Sequence, residues 1–523
     1  MNADLKPDLP LEVRKKLLVA LECHRQGRLE EAVAIYRSAL EQLPNHVETL
    51  LGLGAALIGL GRNIEAIPPL EAALSIRPAH PDTCFALAEA FRACGQIENA
   101  FKMGQLGLDG NPDYLQGHLA AVDALLDMGR HEEARVKLEK GLATHPDNMT
   151  IIGKMGAFYY HTGNYCEAEK KLTVAAKALP EDPEVQWLLT SLYLSERRWR
   201  EGWPLYRWRW PMSKRTPPEA LFKIPNWNGE RICGKKIIVW GEQGLGDELM
   251  FASCLPDLLD KAQPDLCVLA CDPRLEATFN RSFPKILTFP MDREKSPGDI
   301  FRIPVCEYQI ACGDVPKFLR LTDSEFPKPA SWLVPEPIIA ARWKERLDGL
   351  GAGLKVGVAW RGGTLERFKR AKSSNSSLWS DILSLSGVQF VNLQYGDCRA
   401  ELEAIEAAGI KIHNFQDLDP VAKPDEQMAL IAGLDLVIQT SNASAHMAGT
   451  LGVPVWNILP FVADWRWGLK TEDCLWYPSM RLFRQSRVGD WKSVFDRVES
   501  ELRQLISEQK EGPTQLGKAM SGP

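Results

Sequence analysis

The 523-residue sequence predicts an all-α solenoid followed by a pair of parallel α/β domains. Three observations carry that prediction. Glycine, alanine and proline recur every 34 residues through the first 180 positions. From Lys235 short apolar runs alternate with helical segments, and a proline-rich stretch with a charged helix at 327–354 divides those runs into two series. At roughly 150 residues per domain, the length itself asks for about three domains.

The repeat is read by subtraction. Gly27, Gly61, Gly95, Gly129 and Gly163 are equally spaced, as are Ala32, Ala66, Ala100, Ala134 and Ala168, and Pro44, Pro78, Pro112, Pro146 and Pro180. In each unit the glycine closes one helix, a segment such as GRLEEA opens the next, the small alanine lets the two helices approach, and the proline follows the second helix. Period and pattern resemble the tetratricopeptide repeat, whose helix pairs stack because no single pair buries its own apolar face. A further unit fails the template, with Arg197 in the glycine place and Gly202 in the alanine place, so the array is expected to stop there. Trp199, Trp203, Trp208 and Trp210 then offer more indole surface than a solvated cap exposes, which points to a cap that packs on the next domain. The repeats read either as a rigid spacer or as a concave surface that holds a polypeptide. The expected boundaries are 1–210 for repeats and cap, 211–232 for a linker, 233–335 and 336–506 for two Rossmann-like subdomains, and 507–523 for a disordered tail.

In the second half the strand candidates are KIIVW, LCVLA, KILTF and CEYQI, then KVGVAW, VQFVNL, IKIHN, LDLVIQ and VPVWNIL. Two Rossmann-like domains facing a cleft bind ligands at the carboxyl ends of their strands. After the first strand, Gly241, Gly244 and Gly246 allow a tight turn, and Asp247 begins a helix. Aspartate there caps a helix, or it takes a proton from an acceptor hydroxyl. After LDLVIQ, the polar residues Thr440, Ser441, Asn442 and Ser444 precede a helix carrying His446, an arrangement suited to a diphosphate at a positive helix terminus. Asp417 and Asp419 form a DxD that reads as a solvated turn, so no metal site is expected. In ADWRW, Arg466 either meets phosphate or belongs to an aromatic patch packing the loop.

Composition narrows the function classes. With 45% hydrophobic and 25% charged residues the chain is globular rather than disordered. Sixty-two basic against 68 acidic residues leave no excess of positive charge for gripping nucleic acid. The charged N-terminus does not read as a secretory signal, and the uncharged stretch 436–463 holds Gln439, Asn442, His446 and two prolines, so no transmembrane segment is expected. Twelve scattered cysteines without a CxxC pair read as reduced, cytoplasmic thiols.

GEQGLGDELMFASCLPDLL, KVGVAWRGG, TSNASAHMAGTLGVPVW, ADWRW and WYPSMRLFRQ together resemble bacterial glycosyltransferases that join tetratricopeptide repeats to a heptosyltransferase-like domain, and more distantly protein O-GlcNAc transferase. The resemblance implies a GT-B fold, a nucleotide-sugar donor on the C-terminal half, and an inverting reaction without metal or cofactor. It implies Asp247 as base, His446 in the donor-phosphate loop and Lys372 at the diphosphate; Gly244, Gly246, Ser441, Asn442 and Arg466 are the further candidates for the donor side. Heptosyltransferases carry Asp-Thr where Ser441 and Asn442 stand, and the asparagine ladder of protein O-GlcNAc transferase is replaced by Leu18, Gly52, Ala86, Ala120 and Lys154. The expected function is transfer of a hexosyl or heptosyl group to an acceptor hydroxyl, with a protein or peptide held by the repeats as partner. The alternative is a catalytically inactive scaffold that binds a nucleotide sugar or a partner.

Overall fold

The computed structural model describes residues 10–213, 217, 223–242, 244–291, 303–362 and 376–510. These form two compact units, one built on Met1–Leu189 and the other on Thr190–Trp210 with most of the chain that follows.

The first unit is a tetratricopeptide-type array of five helix pairs, from Leu11–Arg25 with Leu29–Gln42 to Met149–His161 with Tyr165–Ala178. The phased glycines take φ between 72° and 78°, the left-handed turn that ends each first helix without a Cβ clash. The phased alanines are buried where the helices of a pair meet. Lys154, on the inner helix of the fifth pair, is nearly buried and bonds Asp123 at 2.7 Å one repeat back and Glu184 at 2.7 Å one repeat ahead. Burial works against its charge, yet the two carboxylates outweigh that and hold the ammonium above its ordinary range. This position of the inner face is therefore filled by an ion pair between repeats.

The sixth unit does form a helix pair, Pro183–Ser195 and Trp199–Leu205. Arg197 adopts φ 60°, taking the left-handed conformation that glycine takes elsewhere, and Gly202 leaves even less bulk than alanine against Leu194. The backbone thus keeps the turn without the signature glycine. Residues 190–210 group with the α/β unit rather than with the repeats.

In the second unit, β1 (Lys236–Trp240), β2 (Leu266–Cys271), β3 (Leu287–Pro290) and β4 (Tyr308–Ala311) form a parallel sheet of order β3-β2-β1-β4. β5 (Leu354–Ala359), β6 (Val388–Asn392), β7 (Leu436–Thr440), β8 (Val455–Leu459) and β9 (Met480–Arg484) form a second parallel sheet of order β6-β5-β7-β8-β9. Two such doubly wound sheets make a GT-B-like pair. IKIHN, expected as a strand, contributes one bridge, His413 to Val391, because it lies beyond the sheet edge with Lys411 and Asn414 exposed. MRLFR, not expected, is edge strand β9; its arginines flank an apolar core of Leu482 and Phe483, a charged-edge pattern that blunts further pairing. Part of the expected linker also packs: Trp227 is buried and its N–H bonds the Gln309 carbonyl on β4. The last helix, Trp491–Lys510, continues past the expected start of the tail, and residues 511–523 lie outside the described set. All twelve cysteines are free, and no described helix is long and apolar enough to cross a membrane.

Replacing Lys154 with Met leaves Asp123 and Glu184 facing each other without a cation. The unfolding transition of the repeat unit should drop by about 3 kcal/mol at pH 7, moderated because Glu184 stays partly exposed. Glu184 is held below its usual value of 4.5, with burial opposing and Lys154 prevailing. Its contribution is complete above that value and is lost as pH falls through the lower folded value. Denaturation at pH 3 should accordingly show a smaller difference between variant and wild type than at pH 7.

Candidate functional site

The carboxyl ends of β1 and β7 each lie beside the point where strand order reverses, the place where an open parallel sheet leaves a crevice. Each strand feeds a loop and a short helix, Leu245–Phe251 from β1 and Ala443–Thr450 from β7, and these helices pack against each other. The contact is possible because Gly246 has no side chain. A Cβ there would stand 2.8 Å from Cδ2 and 3.2 Å from Nε2 of His446. The His446 ring is buried, with Nδ1 at 2.7 Å from the Tyr477 hydroxyl and the Trp467 ring centroid at 5.3 Å. Burial holds the Tyr477 phenol well above its ordinary value, so it stays protonated. His446 therefore sits in a packed aromatic seat.

Gly246 precedes Asp247, whose carboxylate looks two ways. Oδ2 accepts from the Gly244 N–H at 3.3 Å, which is the helix-cap role, and Oδ1 accepts from Arg466 Nη2 at 2.5 Å. Arg466 lies on the turn Trp465–Trp467 that follows β8, and its Nη1 meets Asp464 Oδ2 at 3.0 Å. Asp464 also caps that turn, accepting from the Arg466 N–H at 3.3 Å. The Arg466 side chain is 11% exposed and that of Asp247 19%. Burial disfavours the guanidinium charge, but Asp464 and Asp247 more than compensate and hold it above its usual range. Arg466 Nε is buried and has no acceptor.

On the facing loop, Asn442 caps its helix, with Oδ1 accepting from the Ser444 N–H at 2.9 Å and Nδ2 donating to the Arg361 carbonyl at 3.1 Å. Ser441 Oγ accepts from Trp467 Nε1 at 3.0 Å. Gly362 lets the loop after β5 pass close by, since a Cβ there would fall 2.3 Å from the Ser441 carbonyl oxygen. The structure thus brings Asp247, Gly244, Gly246, Ser441, Asn442, His446 and Arg466 to one place. Lys372 lies outside the described residues. Asp417 pairs with Arg346 at 2.7 Å and Asp419 accepts from the Val421 and Ala422 N–H groups, so the DxD is a tied surface turn. Among the described residues no cluster of potential metal ligands is found.

Four residues of this region carried no functional reading in the sequence. Glu242, two residues after β1, is fully buried; it is clamped by Arg209 through Nε at 2.6 Å and Nη2 at 2.8 Å and accepts from the Gly313 N–H at 2.7 Å. Arg209 also holds Asp314 at 2.9 Å, fixing the loops after β1 and β4 to the segment 199–210. Tyr206 lies edge-on to Trp465 at 5.4 Å, and Tyr477 seats His446. The one available signal was the RWRW run at 207–210, whose density of indole and guanidinium asks for buried partners.

A tetratricopeptide-repeat model matches residues 24–67 and 125–192. The chain is 37% identical over 348 residues to protein FlbA of Caulobacter vibrioides; the match covers 64% of this chain and 58% of FlbA, so the chain spans little more than half of that relative's length. Among solved structures it is similar to the ADP-heptose LPS heptosyltransferase II of E. coli, with 14% identity, TM-score 0.39 and coverage of 53% of this chain and 99% of that one. It is also similar to a family 9 glycosyl transferase of Veillonella parvula DSM 2008, with 13% identity, TM-score 0.41 and coverage of 54% and 100%.

The glycine contact at His446 makes a contrast testable. Gly246→Ala must displace a seated ring and should lower stability by about 1–3 kcal/mol by overpacking. Gly244→Ala should be nearly neutral, because its φ is −130° and its Cβ would meet only Asp247 Oδ2 at 3.7 Å. Thermal unfolding of the two variants checks the difference.

Proposed function

We propose that the chain is a glycosyltransferase moving a sugar from a nucleotide-diphosphate donor to an acceptor hydroxyl, with inversion and without a metal or cofactor. One observation carries this reading. A carboxylate, Asp247, and a cation, Arg466, meet beside the N-terminus of the helix Ala443–Thr450 at the carboxyl ends of two parallel sheets. In the proposed reaction the acceptor oxygen forms a bond to the anomeric carbon while the bond from that carbon to the diphosphate oxygen breaks. Asp247 takes the acceptor proton, and the leaving diphosphate keeps the electron pair. The growing negative charge is met by the helix terminus, Arg466 and Lys372. His446 serves as a buttress, because its Nδ1 is engaged by Tyr477 and its ring supports Gly246.

The motif resemblance supports the nucleotide-sugar donor, and the neutral Ser441–Asn442 loop favours a donor other than one whose recognition needs a carboxylate there. A polypeptide acceptor on the repeats is the proposed partner, since an array of helix pairs offers more surface than a sugar needs and raises the effective concentration of a target hydroxyl. A scaffold without turnover is the second reading, favoured by one observation: the proposed base is already ion-paired.

A thermal-shift panel of nucleoside diphosphates and their sugars identifies the donor class. With that donor, Asp247→Asn should reduce turnover by about 10²- to 10⁴-fold, measured as transfer or donor hydrolysis, while the melting temperature moves little. A large fall in melting temperature with unaltered turnover per folded molecule would establish the helix-cap role instead. Binding without any transfer or hydrolysis by the wild type would support the scaffold.

A further inference from the structure

The ion pair between Asp247 and Arg466 sits uneasily with a base ready to act, because a carboxylate neutralised by a guanidinium holds a proton poorly. It also leaves the guanidinium incompletely used. Nη2 is on Asp247 and Nη1 on Asp464, while Nε is buried with no acceptor. A planar guanidinium suits bidentate recognition, and a phosphate oxygen is an acceptor that would complete it. The two carboxylates are not equivalent. Asp464 lies on the same turn as Arg466 and caps its backbone, so it keeps its hold wherever the side chain turns. Asp247 comes from the other sheet, 219 residues away, and is the partner that can be exchanged. Among the described residues, the other titratable groups acting on Arg466 include the phenols of Tyr206 and Tyr477, which burial keeps protonated and uncharged, and Tyr206 in turn faces the Arg209–Glu242 pair. The facing loop, Ser441 and Asn442, carries no charge to compete.

We propose that the Arg466–Asp247 pair is a latch released by the donor: an incoming diphosphate takes over the guanidinium, and the freed Asp247 becomes the proton acceptor. This rests on reading the cleft as a diphosphate site. It adds that the base is masked until the donor is in place, so that basicity appears only with a sugar to transfer. The masked state suppresses reaction in the empty enzyme, and Asp464 keeps Arg466 poised for the exchange.

The test uses inorganic pyrophosphate and the full chain in titration calorimetry, independent of any sugar or acceptor. In the wild type the anion competes with Asp247 for Arg466 and is repelled by the carboxylate. Asp247→Asn should therefore bind pyrophosphate roughly fivefold or more tightly than wild type. Asp247→Ala should do the same, which guards against a residual hydrogen bond from asparagine. Arg466→Lys should bind roughly tenfold more weakly, and in the double variant Asp247→Asn/Arg466→Lys most of the gain should vanish, as a coupled pair requires. Pyrophosphate binding that is unchanged or weakened in both Asp247 variants, with their melting temperatures retained, overturns the latch while leaving the diphosphate site standing. No pyrophosphate binding by the folded Asp247 variants overturns both.

Discussion

The helices Leu245–Phe251 and Ala443–Thr450, one from each sheet, meet closely at Gly246, where a Cβ would run into the His446 ring. The His446 ring fills the space opposite it, and Tyr477 and Trp467 hold the ring from behind. Everything chemical in the cleft follows from this contact. The residue after Gly246 is Asp247, and the Trp467 that supports His446 also bonds Ser441 on the facing loop and directly follows Arg466. One packing contact thus sets a carboxylate from the first sheet, a polar helix terminus from the second and a guanidinium on the β8 turn within reach of one another.

The segment 190–210 has a corresponding structural role. Trp203 is fully buried, donates to the Arg320 carbonyl at 2.7 Å, and lies edge-on to Trp465 and Trp476. Trp199 packs on Phe326 at 4.7 Å and donates to Asp323. Arg209 ties Glu242 and Asp314 together, and burial pushes the Glu242 carboxyl up while Arg209 and the Gly313 N–H pull it back. A buried, fully bonded charge pair contributes little net stability but strongly penalises any arrangement that breaks it, so it serves to fix the loop that leads to Asp247. The tryptophans belong to the α/β unit and brace both of its sheets.

Much of this was legible in the sequence, because a 34-residue period and short apolar runs are local signals. The phased glycines occupy the conformation that their spacing predicts, and eight of nine expected strands form. What escaped was conformational or long-range. Arg197 takes a left-handed turn that residue type argues against, so the retained helix turn was not readable from the missing glycine. MRLFR was not among the strand candidates because an edge strand can keep arginines at its rims, whereas IKIHN has an alternating pattern but reaches its neighbour β6 through a single bridge. The candidate residues were found by motif and do converge, yet the partner of Arg466 was not readable, since no spacing rule connects positions 219 apart. The same holds for Arg209 and Glu242: the tryptophans pointed to a cap that packs on the next domain, but no spacing rule names the pair that fastens it.

A crystal structure of the full chain with a bound nucleoside diphosphate tests the cleft assignment most directly. The expected result places the phosphate oxygens at about 3 Å from the backbone N–H groups opening the helix Ala443–Thr450 and from the Arg466 guanidinium, with Asp247 facing the open cleft. A nucleotide bound anywhere else, or phosphates in the cleft that touch neither the helix terminus nor Arg466, would contradict it.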